Sequence, residues 1–329
     1  MPMLKDPITI QNIATKYHDH PIHIKMFFAQ YESIELSDEA CDEAYFKYLD
    51  EKPKPFVKWV GGKRQLAKQF RDLKLYPPDA FDPEKATYFE PFVGGGAMFF
   101  DLLPKRAVLS DMNGDLVMTY NVIKNDLEKL IKKLKEHQKK NNKEYFLKIR
   151  AQDTNKLSEV SVAARFIYLN RTCFNGLYRV NRSGQFNVPY GDNKNPLICD
   201  EVNLKRVHDS LSQTKILHQD YKKVLSKAKK GDFIYFDPPY YPVNPTSSFT
   251  SYTKEGFFEK EQEELRDIFV ELHKRGCFVM LSNSDTKFIN DLYSGLDEKI
   301  TINKVFAGRA INSKGNKRGK ITEVVVINY

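Results

Sequence analysis

Blocks of apolar residues alternate with polar helical patterns along this chain. Phe233-Ile234-Tyr235-Phe236 is a continuous apolar and aromatic run, as expected of a strand buried on both faces. Pro238 and Pro239 must end it, because neither can continue a strand ladder. Tyr88-Phe89 predicts a second strand, running into the turn Gly94-Gly95-Gly96 and a helix from Met98. Ala107-Val108-Leu109-Ser110 predicts a third strand, closed by Asp111. Residues 56–60 predict a short strand that breaks at Gly61-Gly62, with a helical pattern near Leu66. Leu116, Tyr120, Ile123, Leu127, Leu130, Ile131 and Leu134 recur at three- and four-residue intervals, which is helical. Residues 160–169 and 258–273 continue as helices, and 277–281 and 324–328 as strands. Strands alternating with helices define an α/β protein.

The 329 residues suffice for one large domain with an insertion or for two domains. No run of about 18 apolar residues occurs, so no membrane span is expected, and the first residues lack the apolar core of a secretory signal. Cys41, Cys173, Cys199 and Cys277 are scattered without a CxxC pair, which points to reduced, intracellular thiols. The formal net charge of +9 is uneven: residues 1–54 hold six Lys and ten Asp or Glu, so the remainder carries +13. A basic body of that size fits a polyanionic partner, with nucleic acid first. Residues 1–54 form an extension of unknown role, with an acidic helical stretch over 31–50. His18, His20 and His23 lack the spacing of a metal site.

The chemistry concentrates at three places. Asp237-Pro238-Pro239-Tyr240 stands at the C-terminal end of a strand, the edge where open α/β sheets bind ligands. Asp237 and the Pro238 carbonyl accept hydrogen bonds, and Tyr240 offers a flat ring, a set that suits an exocyclic amino group on a planar base. Strand, glycine turn, helix, strand and Asp111 make a nucleoside-binding arrangement, with the acid placed for ribose hydroxyls. The turn is not a complete G-x-G-x-x-G, because Phe99 occupies the last glycine position, and Gly61-Gly62-Lys63 is not a phosphate-binding P-loop. Trp59, the only tryptophan, belongs to the core or stacks on a flat ligand. Residues 170–190 interleave Arg, Asn and aromatics around Arg182-Ser183-Gly184, and a two-stranded ribbon of this kind enters a DNA major groove. The Gly-, Lys- and Arg-rich segment 306–320 could contact phosphates.

From about residue 55 onward, the stretches KWVGGK, EPFVGGG, NGLYR…GQFNVP and DPPY occur in the order found in Dam-type DNA adenine-N6 methyltransferases, the α class that uses S-adenosylmethionine. The chain resembles that family. The resemblance implies a Rossmann-like seven-stranded methyltransferase sheet from residues 55–115 and 203–329. An inserted, mainly helical target-recognition domain with a β-hairpin would span 116–202. It implies cofactor contacts from Trp59, Lys63, Phe92, Gly94, Gly96, Asp111 and Asp237. Asp237, Pro238, Pro239 and Tyr240 would be catalytic. Lys58, Arg171, Phe174, Asn175, Leu177, Arg179 and Pro189 would contact DNA, with GATC as the implied target.

Phe174 stands where some relatives carry Tyr, so the ring is kept and the hydroxyl lost. No metal is implied. Double-stranded DNA is the expected partner, with a separate cognate restriction endonuclease possible and a cytoplasmic location. Other expectations are the same chemistry at another adenine-containing site, or methylation of cytosine N4, an RNA adenine or a glutamine amide. Asp237 argues against the cytosine and glutamine cases, which more often show Ser or Asn before Pro-Pro-Tyr. A non-catalytic DNA-binding protein is the remaining class, and the intact cofactor positions speak against it.

Overall fold

The computed structural model describes residues 51–181, 183–243, 257–308 and 320–329, together with Ile24, Tyr45, Lys47 and Leu49. The histidines of the extension, most of its acidic stretch, Arg182, much of the loop after Tyr240 and the Lys- and Arg-rich segment 309–319 lie outside these residues.

Seven strands form one sheet: β1 (Tyr88–Glu90), β2 (Ala107–Asp111), β3 (Thr214–His218), β4 (Phe233–Phe236), β5 (Phe278–Ser284), β6 (Thr301–Gly308) and β7 (Lys320–Ile327). Their order is β3-β2-β1-β4-β5-β7-β6. β3, β2, β1, β4 and β5 are mutually parallel, and β7 runs antiparallel to both β5 and β6. Sequence order runs outward in one direction from β1 through β3 and in the other from β4, so the topological switch point lies between β1 and β4. That crevice is where an open α/β sheet binds its ligand.

The apolar run of β4 is buried throughout, Phe233 and Tyr235 in one core cluster and Ile234 and Phe236 in the other. Val324 to Val326 of β7 are likewise fully buried on alternate faces. Helix α1 (Arg64–Asp72) starts after the Gly61-Gly62 turn, and α2 (Ala97–Leu102) follows the glycine turn after β1. The single helical period over 116–134 resolves into α3 (Gly114–Asn125) and α4 (Leu127–Lys140), separated where Asp126 leaves helical geometry at φ −136°. Next come α5 (Lys143–Arg150), α6 (Glu159–Thr172) and α7 (Glu201–Ser210), then α8 (Glu259–Lys274) and α9 (Lys287–Tyr293). One continuous apolar cluster joins the sheet to the helices between Leu116 and Leu169.

Two local expectations change. Residues 56–60 are irregular and not a strand. Their backbone groups are satisfied by side chains of α6: the Lys58 N–H donates to Asn170 Oδ1 at 2.8 Å, Asn170 Nδ2 donates to the Lys58 carbonyl at 2.8 Å, and Arg171 donates to the Phe56 carbonyl. The ribbon over 170–190 is held by two isolated antiparallel bridges, Cys173 with Tyr190 and Val180 with Phe186, not by continuous strands. A 3₁₀ turn over Phe174–Gly176, with Asn175 left-handed at φ 54°, interrupts the ladder. Cys173, Cys199 and Cys277 are free thiols. Among the described residues no helix is long and apolar enough to cross a membrane.

Candidate active site

The site is assembled at the switch point from the ends of β1, β2 and β4. Asp237 follows β4 directly, and its Oδ1 lies 2.9 Å from Lys63 Nζ at the start of α1. Lys63 is 3 % exposed, so this ion pair is drawn out of water. The ammonium also donates to the Gly61 carbonyl at 2.6 Å and sits 4.7 Å from the centroid of the Tyr240 ring. Burial pushes the Asp237 carboxyl above its ordinary range, the Lys63 charge opposes that shift, and the Glu323 charge adds to it.

Two amides hold the proline turn in place. Gln262 of α8 donates to the Pro239 carbonyl at 3.1 Å, and Asn283 of β5 donates to Gln262 Oε1 at 2.9 Å while accepting from the Tyr241 N–H. Both amides are fully buried. A bond that fixes the Pro239 carbonyl leaves the Pro238 carbonyl without a hydrogen-bond donor among the described residues. Tyr240 itself is pinned through its hydroxyl, which donates to Glu323 Oε2 at 2.8 Å.

The glycine turn forms the neighbouring wall. Gly94 and Gly96 adopt φ 47° and 69°, values that L side chains rarely take. Space is equally restrictive: a Cβ on Gly94 would lie 2.6 Å from Trp59, and one on Gly96 2.6 Å from the Tyr120 hydroxyl. Trp59 therefore packs directly on the turn, and it stacks on Tyr178 with ring centroids 5.9 Å apart. Asp111 closes β2, where its two oxygens accept from the N–H groups of Gly94 at 3.0 Å and Asn113 at 2.9 Å. Burial raises its carboxyl, and those backbone donors oppose the rise. Phe92 stacks on Tyr221 at 5.1 Å beside the turn.

Sequence reasoning missed Glu90, the last residue of β1. It is 2 % exposed, and its Oε2 accepts from the Tyr88 hydroxyl at 2.9 Å and the Phe99 N–H at 3.1 Å. Burial pushes its carboxyl up to about 8, and the nearby charge of Asp237 adds to the rise. Gln262, Asn283 and Glu323 were also missed. The signal was clearest for Gln262, a polar residue on the helix face that carries Leu265, Phe269 and Leu272.

The residues expected to meet DNA divide into two groups. Lys58, Phe174, Asn175, Arg179 and Pro189 are exposed, with Leu177 half-buried among them. The Phe174 N–H donates to the Pro189 carbonyl at 2.9 Å, and the Asn187 N–H donates to the Arg179 carbonyl at 3.0 Å, so these residues share one folded loop. Arg171 is turned inward, where its Nε and a terminal nitrogen donate to the Phe56 carbonyl at 3.2 and 2.8 Å. Among the described residues no group of three or more His, Cys, Asp or Glu side chains is arranged to hold a metal ion.

The chain is similar in sequence to known proteins. The family described as D12 class N6 adenine-specific DNA methyltransferase matches residues 59–307. A type II methyltransferase of Lactococcus lactis subsp. cremoris is 46 % identical over 283 residues, covering 84 % of this chain and 95 % of the relative. A type II methyltransferase of Methanocaldococcus jannaschii is 44 % identical over 292 residues, covering 84 % of this chain and 99 % of the relative. The DNA adenine methylase of Escherichia coli is 30 % identical over 278 residues, covering 84 % and 95 %. With the switch-point site and matches spanning nearly the whole of these relatives, the chain belongs to the D12 class of N6 adenine-specific DNA methyltransferases.

Proposed function

We propose that this enzyme methylates adenine N6 within GATC in double-stranded DNA, taking the methyl group from S-adenosylmethionine after the target base has been flipped out of the duplex. The observation that carries the reading is the Asp237 carboxylate, held 2.9 Å from a buried lysine and next to the anchored Tyr240 ring.

S-adenosylmethionine supplies a methyl group already activated on a sulfonium. The residues at the switch point fit it: Gly94 and Gly96 turn the chain in left-handed geometry at the end of β1, and Trp59 and Phe92 offer aromatic surface. Asp111 offers a carboxylate at the ribose position, and Asp237 lies at the end of β4. The adenine amino nitrogen is a poor nucleophile because its lone pair is delocalised into the ring. Asp237 and the Pro238 carbonyl accept the two amino hydrogens, favour a tetrahedral nitrogen and aim its lone pair. The Lys63 charge opposes the rise that burial imposes on the Asp237 carboxyl. A base inside a duplex cannot reach these groups, so it must leave the stack and lie against Tyr240.

In this reading residues 55–115 and 203–329 are the catalytic unit, residues 116–202 recognise the target, and residues 1–54 are an extension with no part in the chemistry. Lys58, Phe174, Asn175, Leu177, Arg179 and Pro189 form the recognition surface, with Arg171 supporting it from behind. Arg179 Nε is tied to Asn187 Oδ1 at 2.7 Å, which orients the guanidinium and leaves its terminal nitrogens for guanine O6 and N7. Type II methyltransferases among the relatives support a separate cognate restriction endonuclease as a partner.

The test is the methylation rate of wild type and Arg179→Ala on GATC and on each single-base variant. A lost base contact costs about 1–3 kcal/mol at the cognate site and relaxes one position. A uniform loss across sequences removes Arg179 from the reading set. Preferred wild-type methylation of another sequence defeats GATC and leaves adenine chemistry standing.

A further inference from the structure

Glu323 is half-buried and is the last polar residue before the buried run of its strand. It lies in β7, between β5 and β6, in register with Ser284 and Val305. The four residues after it, Val324 to Ile327, are all buried. A carboxylate at the mouth of such a strand loses hydration unless something replaces it. Among the described residues no basic side chain pairs with Glu323. Its partner is the Tyr240 hydroxyl, at 2.8 Å.

β7 is antiparallel to its neighbours, so its N-terminal end reaches the sheet edge where the parallel strands end. That topology places Glu323 at the catalytic edge although it follows Tyr240 by 83 residues. The Tyr240 ring is thereby fixed at two points. Its hydroxyl is held by Glu323, and the Lys63 ammonium lies 4.7 Å from its centroid. A ring held this way can offer a base only the face that Lys63 leaves free.

We propose that Glu323 is a positioning residue for methyl transfer: through the Tyr240 hydroxyl it sets the plane of the ring against which the target adenine stacks. The inference rests on the adenine-methylation reading above and adds a residue to it. A phenol without this anchor turns about its side-chain bonds, and the base loses its fixed approach to Asp237. Orientation losses of this kind act on the reacting complex more than on initial DNA binding.

The test compares Glu323→Ala, Glu323→Gln, Tyr240→Phe and the double variant Tyr240→Phe with Glu323→Ala, each checked for folding by thermal melting. Single-turnover methyl transfer is measured on duplex DNA. The fluorescence of 2-aminopurine at the target position reports base stacking. A hydrogen bond to a charged group is worth about 1.5–3 kcal/mol, so Glu323→Ala should slow transfer by about tenfold or more. Its affinity for DNA should change far less, and the 2-aminopurine signal should rise as stacking loosens. Tyr240→Phe removes the same bond from the other end and should match Glu323→Ala. The double variant should be no slower than either single one. Glu323→Gln keeps an acceptor oxygen and should recover most of the loss.

Normal transfer by a folded Glu323→Ala protein overturns the proposal, as do multiplying losses in the double variant. If Glu323→Ala does not fold, Tyr240→Phe and Glu323→Gln decide by the same criteria. Wild type that fails to methylate adenine defeats the functional reading itself, a result distinct from any variant difference.

Discussion

Replacing Glu90 by Gln should stabilise the folded protein above neutral pH and flatten its dependence on pH. Glu90 is 2 % exposed and ends β1 beside two other carboxyl groups of the site. Burial pushes its carboxyl from an ordinary 4.5 up to about 8. The hydrogen bond from Tyr88 opposes the rise, and the charge of Asp237 adds to it. Between those two values the folded chain keeps a proton that the unfolded chain has released. Stability must therefore fall as pH rises through the window, and the loss is complete above about 8. Below the unfolded value both states are protonated and the effect vanishes. A gap of that size corresponds to roughly 5 kcal/mol as an upper figure. Gln carries no charge, and its carbonyl oxygen can still accept from the Tyr88 hydroxyl and the Phe99 N–H. The assay is urea unfolding of wild type and Glu90→Gln at intervals from about pH 5 to about pH 9. The two proteins should converge at the acid end and separate by a few kcal/mol in favour of Gln at the alkaline end. A difference that stays constant across that range would refute the titration of Glu90 and the buried-carboxyl argument with it.

Asp237→Asn should lower single-turnover methyl transfer by on the order of 100-fold with folding intact, since it removes a charged acceptor from the reacting amine. Near-normal transfer would take Asp237 out of the mechanism. Asp111→Ala should weaken cofactor binding, measured by calorimetry, more than DNA binding, measured by mobility shift. Equal losses in both would mark a general disturbance of β2. A chain beginning at Glu51 should still methylate DNA but melt at a lower temperature. Ile24 and Tyr45 are both fully buried, and Lys52 and Lys54 bond to Asp101 and Asn203, so these residues of the segment are packed rather than free. An unchanged melting temperature, or a folded but inactive product, would contradict that division of roles.

The elements that were legible in the sequence are those whose pattern is local. β4 was readable because four apolar residues precede two prolines, and the proline effect acts within one or two positions. β2 with its terminal Asp111 and the glycine turn before α2 were readable for the same reason. The segment 56–60 was misjudged because its composition resembles a strand. What decides its form is Asn170 and Arg171, which supply its hydrogen bonds from α6. Arg171 lies in the stretch that the family resemblance assigns to DNA, and the fold turns its guanidinium onto the Phe56 carbonyl. The interval of three and four residues that joined 116 to 134 could not show the break at Asp126, since a one-residue kink leaves the periodicity nearly intact.

The sequence by itself determined the α/β alternation, the strand ends that carry Asp111 and Asp237, the glycine turn between them and the order of motifs that marks the family. All of these depend on residues close together along the chain, where steric rules for proline, glycine and side-chain period act directly. Only the tertiary structure decided which polar groups meet. Lys63 with Asp237, Tyr240 with Glu323 and Gln262 with Pro239 come from elements far apart in the chain. They are joined by the strand order, the switch between β1 and β4, and the reversed direction of β7. A buried polar side chain must find a partner, but the sequence does not say which one. Strand order sets the partner, because it fixes which ends of the chain share an edge.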